Sequence, residues 1–268
     1  MNIIKFIEQF TNEGIIKNLD GKTSRRESFS QFGKIGAGAA LAAVPFSTLF
    51  TQKANARTTA AFSSVDNTPT EALQLALTLE YLEDEFYQKA LDTNGLIPAS
   101  DQTVIALISQ HENAHVEFLK SALGEANTPA KPTFDFTVGG TFDTFDNYET
   151  FLALAQAFED TGVRAYKGQA GNLMSESGLL KAALQIHSVE ARHASEIRRM
   201  RGLKGWITEN NRGTGMPAAT QDVYNGEENT IQAGYNAATE FGSAAGTQAF
   251  DEILTGDQAT SIASIFIV

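Results

Sequence analysis

LQLALTLE, residues 73–80, recurs 79 residues later as LALAQAFE, residues 152–159. Apolar side chains fill most positions of both segments, and each segment ends in a glutamate, Glu80 or Glu159. A tyrosine follows each glutamate by seven residues. The chain therefore contains an internal repeat, in which a carboxylate stands inside an apolar row where a solvated side chain is not expected.

The motif Glu-x-x-His completes each copy of the repeat. It begins 32 residues after the first glutamate, as Glu112 and His115, and 31 residues after the second, as Glu190 and His193. Residues three apart on a helix lie on one face, about one turn from each other, so both side chains can reach the same ion. Two matching helical hairpins would thus bring together four carboxylates and two imidazoles.

Helical periodicity predicts four helices, at residues 68–91, 102–123, 148–170 and 176–201. Asp101 and Ser175 are the predicted N-caps of the second and fourth helices. Short connections within each pair predict two antiparallel hairpins, whereas residues 124–147 form a long segment between the pairs. A bundle with short loops needs no such segment, but a bundle with one long crossover does. We therefore predict an all-α fold, a four-helix bundle with one long crossover.

The N-terminus has the pattern of a cleaved export signal. Arg25 and Arg26 begin a twin-arginine motif, an apolar stretch follows, and residues 54–56 form a small-x-small cleavage site. The pattern predicts an exported, periplasmic protein. The predicted organisation is a signal at residues 1–56, a linker at 57–66, the bundle at 67–202 and a C-terminal extension at 203–268.

The C-terminal extension differs in composition from the bundle. It is rich in Gly, Asn and Thr, and Asn225-Gly226 is a turn signal, which together predict partly irregular structure with a small hairpin. The chain then ends in a predicted short helix. Three isoleucines are predicted to pack this helix on the bundle: Ile262, Ile265 and Ile267. No chemistry is predicted for the extension.

Charge and cysteine content exclude several classes of partner. Residues 57–268 carry 13 Lys and Arg against 28 Asp and Glu, a net charge of −15. So acidic a chain argues against nucleic acid or an anionic membrane as partner, and we expect no stable membrane insertion once the signal is removed. The absence of cysteine excludes disulfides and thiolate ligands. Carboxylate oxygens and imidazole nitrogens remain as metal ligands.

The repeated glutamates and histidines predict a site for two metal ions. Burying four uncompensated carboxylates would cost several kcal/mol each, on the order of the desolvation of a charge, and a pair of divalent cations removes that cost. Glu112 and Glu190 are the predicted bridges between the ions. The full set of predicted ligands is Glu80, Glu112, His115, Glu159, Glu190 and His193. Carboxylate-rich sites with one imidazole per metal suit two iron ions, two manganese ions or a mixed pair.

Five further side chains are predicted to lie beside the ligands: Glu83, Asp84, Tyr87, His111 and Tyr166. The two acidic residues follow the first glutamate by three and four positions, so either is a supporting residue or an alternative ligand. The two tyrosines share the ligand face of their helices. They are interpreted either as hydrogen-bond donors or redox-active rings near the metals, or as core side chains without a further role.

The order Glu, Glu-x-x-His, Glu, Glu-x-x-His on four helices resembles the ferritin-like di-metal carboxylate proteins. LEYLE at residues 79–83, HENAH at residues 111–115 and Phe250-Asp251-Glu252 resemble, more narrowly, the exported ferritin-like family related to plant desiccation-related proteins. The resemblance covers residues 66–268. It implies a ferritin-like bundle and says little about activity, because that family is defined mainly by sequence and fold.

His111 also opens a competing motif. His111 to His115 reads His-Glu-x-x-His, the signature of zinc metalloproteases, in which both histidines bind zinc and the intervening Glu112 is a general base. The second copy has Val189 at the equivalent position, so the repeat preserves only Glu-x-x-His. His187 has no repeat partner and is predicted to lie on the surface or in the core.

These patterns favour redox chemistry at a di-iron or di-manganese centre, with O2 or hydrogen peroxide as the partner and ferroxidase or catalase-like activity as the outcome. A second hypothesis is a non-enzymatic, stress-protective or structural envelope protein that its metals stabilise. Iron storage in a hollow shell is a third, and a homo-oligomer is left open. Zinc proteolysis is the remote alternative.

Overall fold

The computed structural model describes residues 68–268, so the predicted signal, the linker and residue 67 lie outside the described residues. Four long helices form the first two thirds of the described part: α1 Pro69–Asp92, α2 Gln102–Leu123, α3 Tyr148–Gln169 and α4 Ser177–Met200. Each boundary lies within one residue of its prediction. Within residues 68–268, no helix combines the length and apolarity needed to cross a bilayer. The all-α prediction is confirmed.

The helices pack as two antiparallel hairpins. Helix α1 contacts α2 extensively and α3 contacts α4 in the same way, while the hairpins meet mainly through α1 and α3. The crossover between the hairpins is fixed by the end of the chain, because Asp135 N donates to Phe266 O at 2.9 Å and Val268 N donates to Thr133 O at 3.0 Å. The predicted bundle with one long crossover is thus the observed architecture.

Aromatic rings fill the core between α1 and α3. The ring of Phe86 lies 4.9 Å from that of Phe151, stacked, and 4.9 Å from that of Phe158, edge-on. Phe158 in turn lies 4.9 Å from Phe266 near the C-terminus. Such pairs contribute about 0.5–1.5 kcal/mol each beyond their buried area. The aromatic core therefore holds the two hairpins together at one end of the bundle.

The predicted N-cap residue of α2 is confirmed in position, although its side chain makes no capping hydrogen bond, and the predicted N-cap of α4 was wrong by one residue. Asp101 occupies the N-cap position of α2, but its carboxylate accepts a hydrogen bond from the hydroxyl of Tyr148 at 2.8 Å and caps nothing. The N-cap of α4 is Glu176, one residue after Ser175, and no side chain caps this helix either. The carboxylate of Asp101 therefore joins the two hairpins instead of ending one helix.

The extension contains short elements only: a 3₁₀ turn Ala218–Val223, β1 Ile231–Gln232, β2 Tyr235–Asn236, and helices α5 Ala237–Phe241, α6 Ser243–Gln248 and α7 Gly256–Ser264. The hairpin β1–β2 turns at Ala233 and Gly234, not at Asn225-Gly226. Both turn residues have positive φ, 49° and 85°, as a two-residue type I′ turn requires.

Helix α7 packs against α1 and α3, as predicted for the end of the chain. Its contacts differ in detail from the prediction, because Ile262 is buried whereas Ile265 is 37% exposed. Phe266 takes the buried position next to the aromatic core instead. The last residues leave the helix to pair with the crossover, so helical spacing no longer decides which side chains face inward.

Candidate metal centre

The structure brings the six predicted ligands together in the middle of the bundle. All six side chains are buried, and the four glutamates have no exposed surface. Their donor atoms form two groups, in each of which every atom lies within 4.8 Å of the others. The first group is Glu80, Glu112, His115 and Glu190, and the second is Glu112, Glu159, Glu190 and His193. Glu112 and Glu190 belong to both groups, as bridging carboxylates would.

Three carboxylates converge on one nitrogen of His115. Its Nδ1 lies 3.2 Å from Oε2 of Glu80, 3.1 Å from Oε2 of Glu112 and 3.0 Å from Oε1 of Glu190. A ring nitrogen carries at most one hydrogen, so it cannot donate to three oxygens at once. One nitrogen and three oxygens facing a common point are, however, the donor set of a metal ion.

His193 has the same surroundings in the second group. Its Nδ1 lies 2.7 Å from Oε1 of Glu112, 3.3 Å from Oε2 of Glu159 and 3.5 Å from Oε2 of Glu190. None of these contacts has hydrogen-bond geometry. Among residues 68–268, this nitrogen and four nearby carboxylate oxygens are buried without a hydrogen-bond partner. Buried polar atoms are nearly always satisfied, so these atoms fit a pair of cations.

The buried carboxylates and their neighbours shift one another's pKa values when no cation is bound. Burial, followed by the charges of Glu190 and Glu159, raises the pKa of Glu112 well above its usual value. Burial likewise raises the pKa of Glu159 to about 7. Burial alone would also raise the pKa of Glu190, but its contacts with His115 and His193 outweigh burial and lower this pKa to about 2. Without metal, the site therefore holds protons that a cation would displace.

Two tyrosines donate hydrogen bonds to Glu80 and Glu159, the two glutamates that lie outside the Glu-x-x-His motifs. In each case the acceptor is the carboxylate oxygen that does not face a histidine. The hydroxyl of Tyr87 on α1 donates to Oε1 of Glu159 on α3 at 2.5 Å. In the other direction, the hydroxyl of Tyr166 on α3 donates to Oε1 of Glu80 on α1. Each tyrosine thus orients the glutamate of the opposite hairpin, which leaves Oε2 directed toward the histidine. The interpretation as hydrogen-bond donors therefore fits both rings, although both are also part of the core.

Glu83 and Asp84 have different surroundings. Glu83 is 2% exposed, and within the described part of the chain it takes part in no hydrogen bond or ion pair. Burial, with the charges of the four neighbouring glutamates, raises its pKa well above the usual range. Asp84 faces away from the donor groups, because its Oδ1 accepts from the amides of Gln88 and Asn113. Of the two residues, only Glu83 is directed toward the centre.

His111 contacts His193 and lies outside both donor groups. Its Nδ1 lies 2.9 Å from Nε2 of His193, and the two rings are stacked with an angle of 11° between their planes. Because Nδ1 of His193 faces the carboxylates, we assign the hydrogen to Nε2, which then donates to His111. The zinc-protease interpretation needs His111 and His115 on one ion and Glu112 on none. The geometry instead groups His115 with Glu112.

Replacing His111 by alanine is expected to weaken metal binding in one group only. The hydrogen bond fixes the ring orientation of His193, and loss of such a partner typically lowers metal affinity about 10- to 100-fold. Within residues 68–268, His115 has no equivalent partner, since Val189 occupies the corresponding position. Titration with Mn²⁺ should therefore show one weakened step and one unchanged step. His187→Ala is the control, because that ring bonds to the carbonyl of Val163, and equal weakening of both steps would contradict the assignment.

A charged network behind α3 was not predicted from the sequence. Asp160, next to the candidate ligand Glu159, is paired with Arg198 of α4 and accepts from the hydroxyl of Tyr224 at 2.8 Å. The extension thus supports the helix that carries this ligand. The available signal was the presence of charged residues within the largely apolar segment 151–166. Nothing in the sequence pattern identified the residues of the extension with which they pair.

A family model described as the ferritin-like domain matches residues 68–203. The matched segment covers the four long helices and all six candidate ligands. No curated protein and no solved structure is similar enough to this chain to count as a match. The comparison therefore supports the fold and leaves the activity to be argued from the site.

Proposed function

This chain belongs to the ferritin-like domain family, and on that premise we propose that it binds two iron ions, two manganese ions or a mixed pair and reacts with O2 or hydrogen peroxide. The observation that carries the proposal is the pair of buried donor groups sharing Glu112 and Glu190. When bound, two adjacent redox-active ions supply two-electron chemistry toward oxygen species. Ferroxidase and catalase-like reactions are both of this kind.

Charge and donor type favour these metals. The site combines four carboxylates with two imidazoles, so two divalent cations would neutralise it when the histidines are neutral. Oxygen donors with one imidazole for each ion suit iron and manganese better than copper or zinc. Thiolate ligands are excluded, since the chain has no cysteine.

Each side chain of the site would have a separate role in holding or orienting the metal ligands. Glu80 with His115, and Glu159 with His193, would hold one ion each, and the two shared glutamates would hold both. The tyrosine hydroxyls would keep the outer glutamates in place, and His111 would orient one imidazole. Complete burial of the glutamates would exclude bulk water, which strengthens every electrostatic interaction in the site. Export through the predicted signal remains part of the proposal.

Metal analysis and turnover measurements on two variants test this proposal. The wild type is expected to contain about two ions of iron or manganese per chain and to oxidise ferrous iron or decompose peroxide. Glu190→Ala should lose metal and activity together, because Glu190 belongs to both donor groups. Glu196→Ala is the matched control, since Glu196 is exposed on the same helix.

The non-enzymatic alternative gives a different result in the same experiment. A wild type that carries two ions and melts at a higher temperature with metal, yet is inert toward both oxygen and peroxide, would contradict the redox proposal. Such a result would assign the metals a structural role.

A further inference from the structure

A cavity beside the α3–α4 hairpin is separate from the metal centre, since none of the six candidate ligands lines it. Its volume is about 340 Å³, within the range of roughly 300–1,000 Å³ that is typical of small-molecule sites. Helices α3 and α4 and residues 205–207 of the extension enclose it, and its apolar lining includes the buried side chains of Val163, Ala194 and Ile207. The cavity therefore has the size and lining to hold a small organic molecule.

Three polar side chains of α4 line the cavity at intervals of three residues: Arg192, Ser195 and Arg198. Residues three apart are neighbours on a helix surface, so these side chains form one row of hydrogen-bond donors. Arg198 is 4% exposed, and its Nε and Nη2 donate to Asp160. Among residues 68–268, its Nη1 and the hydroxyl of Ser195 make no hydrogen bond. A bound anion would accept from this row.

The other charges around the cavity favour an anion with a single charge. The carboxylate of Asp160 is already matched by Arg198 and by the hydroxyl of Tyr224. Arg192 and Asp251 are exposed lining residues, and within the described part of the chain neither side chain forms an ion pair. The positive charge of Arg192 can therefore attract one negative charge, whereas Asp251 would repel a second.

Trp206 gives the cavity an aromatic wall. It is the only tryptophan of the chain and is 49% exposed. Its indole ring offers a flat apolar surface on which an aromatic ring of a ligand can pack, offset or edge-on. The preceding Gly205 brings this wall close to α4, because a Cβ at Gly205 would lie only 2.5 Å from Oγ of Ser195. The aromatic wall and the donor row thus belong to one closely packed unit.

We propose that this cavity binds a small aromatic carboxylate, with the ring against Trp206 and the carboxylate on the donor row of α4. The apolar lining would select for the ring, and the donor row would select for the negative charge. Asp251 would select against a doubly charged phosphate. The proposal goes beyond the proposed function and does not depend on it, because the cavity and the metal centre share no lining residue.

Benzoate, benzyl alcohol and benzylamine are probes of matched size that test the class of ligand by calorimetry. Benzoate should bind with a Kd in the millimolar range or below, on the order of what nine non-hydrogen atoms can give. It should bind at least about tenfold more tightly than the other two, the contribution of a hydrogen bond to a charged group. The emission of Trp206 should shift to shorter wavelength as benzoate covers the ring.

Two substitutions test the charges separately. Arg192→Gln should weaken benzoate binding about tenfold, leave the binding of benzyl alcohol unchanged and keep the melting temperature of the wild type, because Arg192 is exposed. Asp251→Asn should strengthen the binding of phenyl phosphate, a dianion, more than that of benzoate. Lys181→Gln is the control, since Lys181 is exposed about three turns earlier on α4 and lies outside the cavity.

Three results would overturn this proposal. Equal binding of benzoate and benzyl alcohol would mean that the donor row selects nothing. Tighter binding of benzylamine would assign the cavity to a cation held by Asp251. Benzoate binding that neither shifts the emission of Trp206 nor weakens in Arg192→Gln would place the bound molecule elsewhere on the protein. Each of these results would leave the proposed metal chemistry intact, because metal content is measured independently of benzoate binding.

Discussion

Replacement of Glu112 by glutamine is expected to remove most of the stabilisation that Mn²⁺ or Fe²⁺ gives to the wild type. A ligand at 100 times its Kd contributes about 2.7 kcal/mol to stability, so two ions contribute about 5 kcal/mol. For a domain of this size, that corresponds to a rise in melting temperature of roughly 10–20 °C. Glu112 belongs to both donor groups, and an uncharged amide neither balances nor bridges two cations.

The same substitution should change metal-free stability by less than about 1 kcal/mol, within the range of a conservative replacement. Burial, followed by the charges of Glu190 and Glu159, raises the pKa of Glu112 well above its usual value, which favours the protonated form of this group in the metal-free protein. A protonated carboxyl group and a carboxamide have nearly the same size and hydrogen-bonding capacity. The variant therefore separates the effect of metal from an effect on packing.

Thermal melts with metal and with a chelator measure both effects. Glu117→Gln, exposed on the same helix, is the control and should keep the full metal response. In the wild type, the metal-dependent rise should grow from pH 5 to pH 8, because Glu112 and Glu159 must lose their protons before they bind a cation. A full metal response in Glu112→Gln would show that Glu112 is not shared between two ions.

The helical periodicity and the order of the motifs along the chain were sufficient to predict the bundle and the six residues that converge inside it. Glutamate and histidine three apart must share a face, and burial of an apolar stripe places that face inward. The partners across the hairpins could not be predicted in this way. The contact of Tyr87 with Glu159, and of His111 with His193, depends on how far one hairpin is rotated against the other, which no local spacing fixes.

Local signals also failed where a distant group competed. Asp101 is of a residue type that commonly caps helices. Its carboxylate instead accepts a hydrogen bond from the hydroxyl of Tyr148, 47 residues away. In the extension, Asn225-Gly226 is a stronger turn signal than Ala233-Gly234, but Asn225 lies beside the network built on Arg164 and its carbonyl accepts from that guanidinium at 3.0 Å. Tertiary contacts thus decided which turn closes the hairpin.

Replacement of Arg164 by methionine is expected to cost about 3–5 kcal/mol of unfolding free energy, the range for breaking one side of a buried ion pair. The side chain is 1% exposed, and its Nε lies 2.8 Å from Oε1 of Glu227. The guanidinium also donates to four carbonyl groups of the extension, those of Val223, Asn225, Glu252 and Ile253. Methionine fills similar space but leaves a buried charge and these carbonyls without a donor.

The double variant Arg164→Met/Glu227→Gln should recover part of this loss, because the unpaired charge is then removed as well. The deficit of the single variant should also depend on pH. Burial raises the pKa of Glu227 to about 7 although Arg164 lies beside it. Without the guanidinium this pKa rises further, so ionisation of Glu227 lowers the free energy of unfolding by a larger amount. The single variant should therefore lose more stability at pH 8 than at pH 5.

Urea denaturation measures these differences, and Arg199→Met, exposed on α4, should stay within about 0.5 kcal/mol of the wild type. Limited proteolysis should cut the single variant within residues 203–254, because the extension loses the side chain that holds it to α3. Equal stability of the single and double variants would mean that the carboxylate of Glu227 costs no stability when Arg164 is absent. The four carbonyl groups would then account for the whole effect, and the extension would be held by neutral hydrogen bonds and not by charge.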